Sequence, residues 1–101
     1  MTLKFAAKRD ELRTDEPFAT EIEGERIALY VLDGEVFATH DVCTHQFALL
    51  SEGYLEDGCI ECPLHQARFD IRTGAVLCAP ASAPIKTYVV QVDGNDVMVD
   101  L

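Results

Sequence analysis

The amino-acid sequence predicts an all-β domain, and three observations predict it. Short stretches rich in branched and aromatic residues recur along the chain, among them Ile27-Ala28-Leu29-Tyr30-Val31-Leu32 and Val97-Met98-Val99. Turn-forming pairs punctuate them: Asp33-Gly34, Asp57-Gly58, Thr73-Gly74 and Asp93-Gly94. Only residues 8–13 have helical character, and that span is too short to hold a helix unaided.

Taken in order, strands are expected at 2–5 and 18–23, with Gly24 turning the chain. Residues 26–32 and 35–39 form a β-hairpin about Asp33-Gly34. Shorter strands follow at 54–55, 59–61, 67–70 and 75–77. A second hairpin closes the sequence, with 85–92 and 97–101 joined by the turn at 93–96. Three segments resist the strand reading: 41–50 (DVCTHQFALL), 62–67 (CPLHQA) and 78–84 (CAPASAP). The first two each carry a Cys and a His, and two prolines stiffen the third.

With 101 residues the chain holds one domain. Its 49% apolar and 26% charged residues are those of a folded globular protein, and no apolar run approaches the roughly 20 residues of a membrane span. The N-terminal MTLKFAAKRDELRT has no signal-peptide core, so a cytoplasmic location is expected. Eight Lys and Arg stand against eighteen Asp and Glu, a net charge of −10. That balance excludes a nucleic-acid partner and an anionic membrane surface, both of which need a basic face. It suits either a basic protein partner or plain solvation.

The chemistry lies in Cys43-x-His45, sixteen intervening residues, and Cys62-x-x-His65. Each pair fits one tight loop, so sulfur and imidazole can converge without a helix. Two Cys and two His can bind one zinc tetrahedrally, or two irons of a [2Fe–2S] cluster with Cys₂ on one and His₂ on the other.

These residues, with Phe69-Asp70, Thr73-Gly74 and the proline loop 78–84, resemble the Rieske [2Fe–2S] family. The likeness runs through the whole chain and is greatest to the Rieske-type ferredoxins of bacterial aromatic-ring-hydroxylating dioxygenase systems. It implies a single Rieske domain over 1–101: stacked antiparallel sheets with a cluster-binding loop subdomain at one tip, about 41–84, inserted in a β base formed by 1–40 and 85–101. It implies one [2Fe–2S] cluster, with Cys43 and Cys62 on the inner iron and His45 and His65 on the outer. The implied function is one-electron transfer from an NAD(P)H-dependent flavoprotein reductase to the Rieske centre of a terminal oxygenase. The chain is then not itself an enzyme, and a monomer is expected.

The departures from the family's high-potential members matter as well. Where those carry two further cysteines in a disulfide, this chain has Ala48 and Leu64. Where they place Ser and Tyr hydroxyls toward cluster sulfur, it has Ala67 and Phe69. Donors to sulfur stabilise the reduced cluster, so a potential at the low end of the family range, roughly −150 to +300 mV, is expected.

Other residues carry plainer readings. Cys59 and Cys62 have thioredoxin spacing but lack its helix, so Cys59 reads as a small buried hydrophobe, and Cys78 as packing. His40 reads as an ordinary hydrogen-bonded histidine, Gln46 and Gln66 as exposed neighbours of the ligand histidines, and Tyr30, Tyr54 and Tyr88 as core or sheet-face residues. A structural zinc module is the rival from another class, but neither a recognition helix nor a basic surface accompanies the four residues.

Overall fold

Six consecutive apolar residues, 27–32, need an apolar surface on both sides, and the fold supplies two. The computed structural model describes residues 2–44, 48–64, 67–78 and 83–101, Cys78 by its backbone alone. Strand β3 (Glu25–Leu32) lies between β2 (Phe18–Ile22) and β4 (Glu35–His40) in a four-stranded sheet that ends with β9 (Thr87–Tyr88). One face of β3 turns Ile27, Leu29 and Val31 into a core shared with Ala6, Ala7, Val97 and Val99. The other turns Ala28 and Tyr30 into a second core with Ile60, Phe69 and Ile71.

The first core is covered by a three-stranded sheet, β1 (Leu3–Lys8), β11 (Asp96–Asp100) and β10 (Val90–Asp93) in that order. The second is covered by a four-stranded meander, β5 (Tyr54–Glu56), β6 (Cys59–Glu61), β7 (Arg68–Asp70) and β8 (Val76–Cys78). All pairings are antiparallel. The middle sheet is thus buried on both faces, and the large side chains at its centre, fully enclosed, contribute about 1.5–3 kcal/mol each.

Tight turns set the register. The two-residue loops Glu23-Gly24, Asp33-Gly34 and Asp57-Gly58 hold both residues at positive φ, the type I′ geometry that matches strand twist. Strand β1 runs further than expected because a bulge between Phe5 and Ala7 turns both Ala6 and Ala7 inward. A 3-10 turn at Arg9–Glu11 follows, where helical character was expected.

The expected strand 85–92 is a correction. The chain pairs with β4 at Thr87 and Tyr88, breaks at Val89, and pairs with β11 from Val90 onward, so it passes from one sheet to the next. Tyr88, Val89 and Val90 form one branched and aromatic run through the break, as in an unbroken strand, so the sequence pattern carried no sign of it. Backbone pairing marks it instead, since Asp100 donates its N–H to the Val89 carbonyl at 2.9 Å.

Candidate metal centre

Two loops of one design carry the cysteines. Cys43 donates its amide to the Ala48 carbonyl at 2.9 Å, and Cys62 donates its own to Ala67 at 2.7 Å. Each bond closes a loop on the residue five positions on. Below the closure the two loops differ. The second stands on the β6–β7 ladder, with Glu61 paired to Arg68 and Ile60 to Phe69. The first has one isolated bridge, Val42 to Leu49, and the bond from Leu50 N–H to the Asp41 carbonyl at 2.6 Å.

Both cysteines are buried in the same apolar group, Cys43 at 4% exposure and Cys62 at 0%. Ala48, Ala67, Leu50 and Phe69 surround them in that group. The parity of β6 places Cys62 there: Ile60 and Cys62 turn inward, Cys59 and Glu61 outward. The third loop joins through Thr44, whose hydroxyl donates to the Ala83 carbonyl at 2.9 Å, and through Ile85, which belongs to the same core. The sequence-expected ligands His45 and His65 lie outside the described residues, as do Gln46, Gln66 and Pro80. Among the described residues no three Cys, His, Asp or Glu gather into a metal-holding group.

What is described fits an iron–sulfur cluster. Two soft sulfur donors, each presented at the start of a closed loop and walled by apolar side chains, suit iron better than a hard, oxygen-seeking cation. Ala67 and Phe69 are fully buried beside them and bring no side-chain hydroxyl. Ala48 is buried while Leu64 is 62% exposed.

Cys59 departs from expectation. It is half-buried and faces away from the ligand core, its thiol directed at the Asp57 carbonyl at 3.7 Å. Burial pushes that thiol up, and the Asp70 carboxylate adds to the effect. A thioredoxin-like pair needs the opposite, a stabilised thiolate. An open cleft of about 530 Å³ is lined by Arg9, Val36, Phe37, Tyr88 and Val90 among others, and by no residue of the ligand loops.

The sequence reading missed Asp41. Its side chain is 2% exposed, and its two carboxylate oxygens accept from the Ser51 amide at 2.7 Å and the Ser51 hydroxyl at 2.8 Å. Its field reaches Tyr30, whose phenol is raised first by burial, with Asp41 adding and the Thr39 hydrogen bond opposing. The one available signal was a charged residue two positions before Cys43 in a stretch otherwise without charge.

Residues 2–89 match the family model described as the Rieske [2Fe-2S] domain. The chain belongs to the Rieske [2Fe–2S] family, and its cofactor is a Rieske-type [2Fe–2S] cluster. Over 90% of its length and 88% of the relative's it is 48% identical to the ferredoxin component of a naphthalene 1,2-dioxygenase system from Pseudomonas aeruginosa. Among solved structures, the Sphingomonas yanoikuyae B1 ferredoxin aligns over 99% of both chains with TM-score 0.94 and 39% identity. A chain from the complex of reduced oxygenase and oxidised ferredoxin in carbazole 1,9a-dioxygenase aligns over 93% of this chain and 97% of that one, with TM-score 0.86 and 29% identity.

Proposed function

We propose that this chain is a one-electron carrier, the ferredoxin component of an aromatic-ring-hydroxylating dioxygenase system. The observation that carries the reading is the match to dioxygenase ferredoxin components over 90–100% of this chain and 88–99% of theirs. Its donor is an NAD(P)H-dependent flavoprotein reductase and its acceptor the Rieske centre of a terminal oxygenase. The pairing of ferredoxin with oxygenase in the carbazole dioxygenase complex supports the second of these. The chain acts in the cytoplasm as a monomer and does not bind substrate.

Cys43 and Cys62 would hold one iron of the cluster and His45 and His65 the other, within a cluster-binding unit of about residues 41–84 set on a base formed by 1–40 and 85–101. When bound, the cluster supplies reversible one-electron chemistry. The chain's own part is to present two buried thiolates at fixed loop closures, exclude water from them with Leu50, Ile60 and Phe69, and bring no hydroxyl from positions 67 and 69. This favours the low-potential, donor end of the family range.

The test is direct. The purified protein should be red-brown with equal iron and sulfide, and give a Rieske-type EPR signal after dithionite reduction. Cys43→Ala and Cys62→Ala should each abolish colour, iron and sulfide, whereas Cys59→Ala should retain them. A colourless protein holding one zinc would overturn the reading.

A further inference from the structure

The two ligand loops close alike but are founded differently. Beneath Cys62 the β6–β7 ladder continues for three residue pairs, and the Arg68 Nε to Glu61 Oε1 contact at 3.0 Å spans the pair nearest the loop. Beneath Cys43 there is a single bridge, and then Asp41. Four bonds meet on that residue. Its N–H donates to the Arg26 carbonyl at 2.9 Å and its own carbonyl accepts from Leu50 at 2.6 Å. Its carboxylate accepts from the amide and the hydroxyl of Ser51 at 2.7 and 2.8 Å. The side chain therefore ties one limb of the loop to the other and the backbone ties both to β3.

A neutral Asn has the same shape and satisfies the same two Ser51 contacts, so hydrogen bonding alone does not require a buried charge at this position. The charge has a consequence of its own: a carboxylate taken out of water two residues from a ligand cysteine opposes the arrival of an electron nearby. We propose that Asp41 is a positioning residue of the cluster site, fixing the foot of the Cys43 loop, and that its buried charge holds the reduction potential down.

The inference rests on Cys43 being a ligand, which loss of colour in Cys43→Ala tests separately. Asp41→Asn keeps the loop's shape and removes the charge. It should hold a full cluster, judged by iron, sulfide and visible spectrum, with a reduction potential more positive than wild type in a redox titration. Ser51→Ala keeps the charge and cuts one tie. It should keep the wild-type spectrum and release iron to a chelator several-fold faster than wild type. An Asp41→Asn protein with a full cluster and the wild-type potential overturns the proposal. Should that variant fail to fold, a Ser51→Ala protein that releases iron at the wild-type rate overturns it instead.

Discussion

Phe69 sits in the apolar group with Cys43 and Cys62 and is fully buried, so a group attached to its ring is held close to the centre. The family resemblance implies that a hydroxyl at this position donates to sulfur, and such a bond favours the reduced cluster. Phe69→Tyr should therefore raise the reduction potential without changing cluster content, as redox titration would read. An unchanged potential would mean that position 69 does not set it. Two other buried phenols tie stability to pH. Burial raises the Tyr30 phenol, and burial with the Glu25 carboxylate, which accepts its hydrogen bond at 2.8 Å, raises Tyr88. Both remain protonated in the fold after an exposed phenol, near pH 10, has ionised. Above that pH the unfolded chain binds fewer protons than the folded one, so stability present below about pH 10 is lost as pH rises. The urea midpoint should hold up to about pH 10, fall above it, and fall less in Tyr88→Phe.

At the scale of elements, glycine shows what the sheet junctions demand. Gly34 and Gly74 share nearly the same positive φ, +81° and +80°. A Cβ on Gly34 meets open space, whereas one on Gly74 would run into the Ile85 carbonyl oxygen. Gly74 also accepts the Ile85 amide at 2.9 Å, which pins the meander's last turn to the chain returning toward β9. Gly34→Ala should cost about 1–2 kcal/mol, the left-handed penalty alone, or roughly 4–16 °C in melting temperature. Gly74→Ala should cost distinctly more, and equal melting temperatures for the two would refute the close approach. The sequence announced Gly74 as a turn but not as a contact, because its neighbour is eleven residues away. For the same reason the hairpins were legible and the sheet change at Val89 was not: turns are local, while the choice of partner strand is not. That Cys43 and Cys62 meet in one core was legible from their two like-spaced motifs. Asp41 was not, because its meaning depends on Ser51 standing opposite across a folded loop.

Charge is a property of the whole molecule, and its distribution sets how the protein meets a partner. The three loops at 41–50, 62–67 and 78–84 contain one charged residue, Asp41, and that one is buried. Their described exposed positions are Thr44, Leu64, Ala83 and Pro84, all neutral. None of the exposed described residues of these loops thus contributes to the net charge of −10. Among the described residues, Lys4, Lys8, Arg13, Arg68 and Arg72 are engaged in ion pairs with Asp or Glu. Those pairs are largely exposed and contribute little to stability, but they cancel cations and leave the surplus of carboxylates to project a field. A field set back from the contact acts on approach more than on the docked complex. Electron delivery to a partner with a basic rim should then slow as salt screens it, the Debye length falling from about 20 Å to about 7 Å between roughly 0.02 and 0.2 M ionic strength. In steady-state turnover of the reconstituted system, kcat/KM for this protein should drop several-fold across that range while kcat stays level. A matching fall in kcat would place the charges within the docked interface, and no salt dependence at all would reduce them to solvation.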